Sequence, residues 1–213
     1  QRQMCIRDRR MGYWKHDGKV TIFDAFEKLR DNYQSIMERC RALDELIYSD
    51  AENAGGKKYA EICSASYRQV ISAHKLFTDK EGNLMWFSKE NNSNGCINTV
   101  DLTYPSAPLF LVYNPDLEKA MMTSIFEYSA SGRWNKPFAA HDLGTYPIAN
   151  GQVYGGDMPI EESGNMVILT AAISKIEGNA DYAKKYWDIL TTWTNYCLLY
   201  TSPSPRDISD LVC

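Results

Sequence analysis

The chain has 213 residues, 44% of them hydrophobic and 23% charged, with 23 Lys and Arg against 27 Asp and Glu for a net charge of −4. That acidic balance argues against nucleic acid or an anionic membrane surface as partner, since both need a basic footprint. No run of eighteen apolar residues is present, so no membrane-spanning helix is expected.

The two ends read as foreign. Residues 1–9, "QRQMCIRDR", and 197–213, "CLLYTSPSPRDISDLVC", resemble translations of a transposase sequencing adaptor and are set aside as artefact. Removing their four basic and three acidic residues leaves 19 Lys and Arg against 24 Asp and Glu, a net charge of −5. Residues 10–196 amount to one domain, expected to be an internal piece of a longer chain from a metagenomic read. Cys5, Cys197 and Cys213 go with the ends, leaving Cys40, Cys63 and Cys96 with no CxxC spacing. Cys40 and Cys63 lie in helical patterns and read as small buried hydrophobes.

Residues 21–50 carry apolar side chains at Ile22, Phe23, Phe26, Leu29, Tyr33, Ile36, Met37, Cys40, Leu43 and Ile47, close to a 3.6-residue period. They predict one long helix or two in succession. "AENAGG" (51–56) reads as a turn, and "KKYAEICSASYRQVISAHKLF" (57–77) as a second helix with His74 on its apolar side. A long polar connection runs from Thr78 to about Asp101, with "NLMWFS" (83–88) as a candidate short strand. A third helix is expected from Tyr104 or Pro105 to Tyr113, with proline near its first turn where a missing N–H costs least. Asn114 and Pro115 break it, and residues 116–130 form a fourth. A second long connection covers Ser131 to Met158. Helix five is "PIEESGNMVILTAAISKIEG" and helix six "DYAKKYWDILTTWTNY", separated by a tight turn.

Short and long links alternate along this series. In an up-and-down array of antiparallel helix pairs, successive links fall on opposite ends, so both long loops share one face and meet there. Sites concentrate on such loops.

No HExxH, P-loop or GxSxG is present, and "GQVYGG" lacks the context of a dinucleotide fingerprint. His16, His74 and His141 are too scattered to suggest a zinc site, so no metal and no cofactor are expected. What remains is carboxylates and aromatics in the two loops. Bond hydrolysis needs a proton donor and a base or nucleophile, and facing carboxylates can divide those roles. Asp142, Asp157, Glu161 and Glu162 are the catalytic candidates. Asp101, Glu90, Trp134, His141, Tyr146, Tyr154 and Asn165 are the substrate-binding candidates, with Trp86 a further stacking platform if the substrate is a sugar.

Each has a structural alternative. Glu161 and Glu162 sit in the first turn of helix five, where the helix dipole favours the ionised form, and so a base or nucleophile rather than an acid. Asp157 and Asp101 could cap helices, Asp142 could hold a turn, and Glu90 and Lys89 could belong to a solvated turn. His141 could be a proton shuttle or a structural histidine. His74 reads as core and His16 as surface.

The blocks "SASYRQVISAHK", "NGCINTVDLTYPSAPLFLVYNP" and "GRWNKPFAAHDLGTYPIANGQVYGGDMPIEESGNMVILTAAISKIEGNADYAKKYW" together resemble the six-hairpin domain of the glutaminase A family, found in secreted fungal enzymes and in proteins of gut-type Bacteroidetes. The resemblance covers residues 10–196. It implies an all-α (α/α)6 toroid, similar in architecture to many glycoside hydrolases and incomplete here, preceded in relatives by a β-rich region and closed by further helices. It also implies a secreted or periplasmic setting, a small-molecule or carbohydrate substrate, and hydrolysis of L-glutamine to L-glutamate and ammonia. A six-hairpin glycoside hydrolase and a non-catalytic carbohydrate-binding domain stay open as alternatives. An open toroid exposes apolar helix faces, so the fragment itself is expected to be unstable and largely inactive.

Overall fold

A computed structural model describes residues 11–12, 21–79, 81–90, 92–146 and 148–201. The adaptor-like start, His16 and the chain after 201 lie outside the described residues. In chain order the elements are β1 (Met11–Gly12), α1 (Ile22–Asp31), α2 (Tyr33–Gly55), α3 (Lys57–Ser72), β2 (His74–Thr78), β3 (Leu84–Ser88), α4 (Val100–Tyr113), α5 (Pro115–Ala130), α6 (Pro159–Glu177), α7 (Asp181–Lys185) and α8 (Trp187–Thr201). Among the described residues, no helix is long and apolar enough to cross a membrane.

The chain is mostly helical, as expected, and its helices pack as neighbouring pairs: α2 on α3, α4 on α5, and α6 on α8. The first periodic stretch is two helices. α1 starts with a capping box between Thr21 and Asp24, and Asn32 separates it from α2. "AENAGG" is not a loop: α2 runs through Gly55, and one residue, Gly56 at φ +79°, reverses the chain. Asp44 and Arg68, equally distant from Gly56 along the chain, meet at 2.8 Å, so α2 and α3 run antiparallel.

The apolar stripe of α1 and α2 faces largely outward. Ile22, Phe23, Phe26 and Leu29 are exposed, only Ile47 and Ala51 of α2 are buried, and Cys40 is exposed rather than packed. A 3.6-residue period marks a face, and among the described residues nothing covers most of this one.

The second expected helix also ends early. α3 stops at Ser72, and His74 opens strand β2, which pairs antiparallel with β3 from His74 opposite Ser88 to Thr78 opposite Leu84. β1 adds a third strand through Met11 opposite Thr78. Of this sheet only β3 was legible in the sequence. His74 is buried as expected, but by stacking 5.1 Å from Trp86 within the sheet layer. Trp86 also meets the edge of Phe110, which makes it core rather than a sugar platform.

α4 begins at Val100, earlier than Tyr104. Thr99 is its N-cap, and the Leu102 and Thr103 amides donate to the Thr99 carbonyl. Pro105 and Pro108 thus lie inside the helix. Each removes one helical donor, and the Ser106 hydroxyl donates to the Leu102 and Thr103 carbonyls nearby.

α5 is central. It packs against β3, and Met121, Met122, Ile125 and Phe126 are buried in it. Phe126 stacks on Tyr186 at 4.1 Å and on Trp193 at 5.3 Å, joining α5 to the last helices. Burying a side chain of that size contributes about 1.5–3 kcal/mol.

Candidate active site

The two long connections meet, as their shared face required. The Ile97 amide donates to the Gly144 carbonyl at 2.8 Å, the Leu143 amide to the Ile97 carbonyl at 3.0 Å, and the Val100 amide to the His141 carbonyl at 2.9 Å. Asn98, at φ +55°, sends its side-chain amide to the Met121 carbonyl and the Ser124 hydroxyl, fixing the first loop to α5. At Gly144 the second loop turns with φ +106°, and a Cβ there would lie 2.9 Å from the Gly151 carbonyl oxygen and 3.0 Å from that of Ile148. Only glycine fits both demands.

That turn wraps the Asp142 carboxylate, which is fully buried. Its Oδ1 accepts from the Gly144 amide at 2.7 Å and the Val153 amide at 3.0 Å, while Oδ2 faces the Tyr154 amide at 3.2 Å and His141 Nδ1 at 3.0 Å. Surrounded by backbone donors, Asp142 acts as an acceptor toward the imidazole. The proton of a neutral His141 therefore sits on Nδ1, and Nε2 is left as an acceptor. The ring is fixed further by Tyr154, stacked at 4.1 Å and 16°, and the His141 amide donates to Gln152 Oε1 at 2.8 Å.

His141 Nε2 looks toward two more carboxylates. Asp101 Oδ2, from the first turn of α4, and Glu162 Oε1, from the first turn of α6, are each 3.9 Å away. Glu162 is fully buried and neither of its oxygens has a hydrogen-bond partner. Burial first, then the charges of Asp101, Glu161 and Asp142, push its carboxyl up to about 9. This overturns the expectation of an ionised group: an N-terminal helix dipole contributes roughly 0.3–1 kcal/mol, and complete burial without a partner outweighs it. Glu162 carries its proton at neutral pH.

The structure therefore brings Asp101, His141, Asp142, Tyr154 and Glu162 together. The other six candidates fall elsewhere. Glu161 is exposed one residue from Glu162. Asp157 caps no helix, since α6 has Met158 as N-cap with no side-chain bond; it pairs with Lys136 and accepts from Gln152 Nε2 at 2.9 Å. That lysine holds the Asp157 carboxyl below the usual range. Trp134 belongs to the same group, with Lys136 Nζ 4.9 Å above its ring and its own N–H donated to the Phe138 carbonyl. Tyr146 is exposed and lines a separate cleft of about 240 Å³ with Lys75, Phe77, Phe87 and Lys89. Asn165 is half-buried one turn beyond Glu162, and Glu90 lies near Cys96 in the first long loop. Asp101 is not an N-cap, because Thr99 holds that position.

Two residues escaped the sequence reading. Gln152 links the His141 backbone to Asp157, and buried Cys96 lies beside Asp142. Burial and the nearby acids push the Cys96 thiol up to about 12, so it is no nucleophile. Gln152 lies within "GQVYGG", where the glycines drew attention away from it.

The family model described as the glutaminase A six helical-hairpin domain matches residues 56–209. The chain belongs to the glutaminase A family. A glutaminase A from Aspergillus oryzae is 38% identical over 179 residues, covering 83% of this chain and 26% of that protein. A probable glutaminase from Arthroderma benhamiae is 35% identical over 127 residues, covering 58% of this chain and 15% of its own length. The chain thus spans about a quarter, or less, of these curated family members. No solved structure matches it. All five residues of the cluster lie within the part matched by the glutaminase A domain.

Proposed function

We propose that this cluster hydrolyses the side-chain amide of L-glutamine to L-glutamate and ammonia, the activity suggested by the names of both relatives. The observation that carries the reading is a base and an acid aimed at one spot: His141 Nε2, oriented by Asp142, and protonated Glu162 at 3.9 Å. In this mechanism His141 takes a proton from water as the water oxygen bonds to the amide carbon. Glu162 gives its proton to the leaving nitrogen as the carbon–nitrogen bond breaks, and ammonia departs. The proton held by His141 then returns to Glu162. Asp142 stabilises the imidazolium formed on the way. Asp101, about one-third exposed, lies on the open side and offers a carboxylate to the substrate's α-ammonium group.

A glycosidase reading rests on one observation. The oxygens of Asp101 and Glu162 in this cluster lie within 4.8 Å of each other, close to the roughly 5 Å separation of carboxyl groups in retaining enzymes. Ammonia release from L-glutamine, measured on the uninterrupted reading frame that contains this chain, decides between the two. Glutaminase activity that falls at least about 100-fold in Asp142→Asn supports the first. Turnover of aryl glycosides alone would replace it with the second.

A further inference from the structure

We propose that Asp101, His141 and Glu162 form a binding site for one divalent transition-metal ion of the zinc type. Oδ2 of Asp101, Nε2 of His141 and Oε1 of Glu162 each present a lone pair to the same space, and the three ligand atoms lie within 4.8 Å of one another. In a tetrahedral zinc site with bonds of about 2.1 Å, ligand atoms stand roughly 3.4 Å apart. The 3.9 Å separations from Nε2 therefore need a contraction of about half an ångström, within the reach of small side-chain rotations.

A second observation points to a cation as the ligand. Glu162 is fully buried, aimed into this space, and has no hydrogen-bond partner on either oxygen; Oδ1 of Asp101 is likewise unpartnered. On binding, a dication would displace the Glu162 proton to solvent, and the Asp101 and Glu162 carboxylates would then compensate its charge. One imidazole and two carboxylates suit zinc, manganese or cobalt better than a soft ion. Asp142 on Nδ1 completes the carboxylate–histidine arrangement that orients a ligand ring. Asp101, about one-third exposed, is the member of the site in contact with solvent.

The neighbouring group of Cys96, His141 and Asp142 is the weaker candidate. Both oxygens of Asp142 are already engaged by three backbone amides and His141. One consequence of the site rests on the glutaminase reading: an ion bound there would occupy the proposed base and the proposed acid together, so zinc would inhibit.

The test is a zinc chloride titration of the protein made from the uninterrupted reading frame that contains this chain, against a chromophoric chelator and without substrate, so that the outcome is independent of what the enzyme hydrolyses. One ion per chain is expected, with affinity at least about tenfold weaker in Glu162→Gln and in Asp101→Asn, and unchanged in Asp157→Asn. Circular dichroism confirms that each variant is folded, and partly exposed Asp101 supplies the variant least able to disturb packing. Cobalt in place of zinc should show ligand-field bands without a thiolate charge-transfer band. Absence of saturable binding, binding unaffected by Asp101→Asn, or a thiolate band lost in Cys96→Ser would overturn the proposal. Stoichiometric binding with ammonia release unaffected would leave the metal site standing and remove the hydrolytic roles of His141 and Glu162.

Discussion

Two helices of this chain start alike and end in different chemistry. α5 opens with Pro115-Asp116-Leu117-Glu118 and α6 with Pro159-Ile160-Glu161-Glu162, each with proline in the first turn and a fully buried glutamate three residues later. Neither glutamate has a hydrogen-bond partner for its carboxyl oxygens. Burial alone pushes Glu118 up to about 8; burial together with Asp101, Glu161 and Asp142 pushes Glu162 up to about 9. Glu118 sits in the core, where its charge would be felt by the Tyr182 phenol. Glu162 faces an oriented imidazole. Burial can make a carboxyl group hold its proton, but only a base opposite it gives that proton somewhere to act.

The two glutamates should part most widely in turnover. Glu162→Gln is expected to lower kcat for ammonia release by at least about 100-fold, while Glu118→Gln changes it by less than about twofold. Equal losses in steady-state assays of the two variants would break the distinction.

Next in size is the support behind the site. Asp142→Asn should cost about 2–3 kcal/mol of stability, because an amide cannot accept from three backbone amides and an imidazole at once. Urea unfolding checks this. A loss below about 0.5 kcal/mol would mean that the turn holds its shape without the carboxylate.

The pH dependence of stability probes the feature the two glutamates share. Each has a folded value above the ordinary range near 4.3, so the folded state binds the extra proton. The stabilisation from each is complete at about pH 4 and is lost as pH rises through about 8 for Glu118 and about 9 for Glu162. Urea midpoints should therefore fall between about pH 5 and pH 8, with a slope of up to about 1.4 kcal/mol per unit for each group. Glu118→Gln should remove about half of that slope. An unchanged slope would mean that Glu118 is ionised and compensated.

The smallest effect is expected at Asp157. Its pair with Lys136 is partly exposed, so Asp157→Asn should shift stability by less than about 0.5 kcal/mol, and less still at high salt. A larger cost would tie the Gln152 bridge into the support of His141.

Much of the fold was legible because helices announce themselves by period. The start of α6 at Pro159 and the break at Asn114 and Pro115 fell where the residues placed them. Boundaries set by tertiary contacts were not legible: the end of α3 at Ser72 depends on β2 pairing with β3, and Thr99 starts α4 where "VDLTYPS" looks like a loop running up to proline. At the site, loop position picked out Asp142, His141 and Glu162. It could not rank Glu162 above Glu161, because neighbours on a helix differ by about 100° in direction and only packing decides which is buried. It also weighed histidines as metal ligands by their number, although two of the three converging ligands here are carboxylates.

The ladder that joins Ile97 to Gly144 and Leu143, with the Gly151 amide returning to the Leu143 carbonyl, sets the register of the site through main-chain atoms. Main-chain register is indifferent to most side chains and intolerant of changes in length. Descendants of this sequence can therefore vary exposed positions such as Thr145, Tyr146 and Ile148 freely, whereas one inserted or deleted residue between His141 and Gly151 would slide Asp142 away from its three amides and silence the site. The variation this stretch can accept is substitution without insertion.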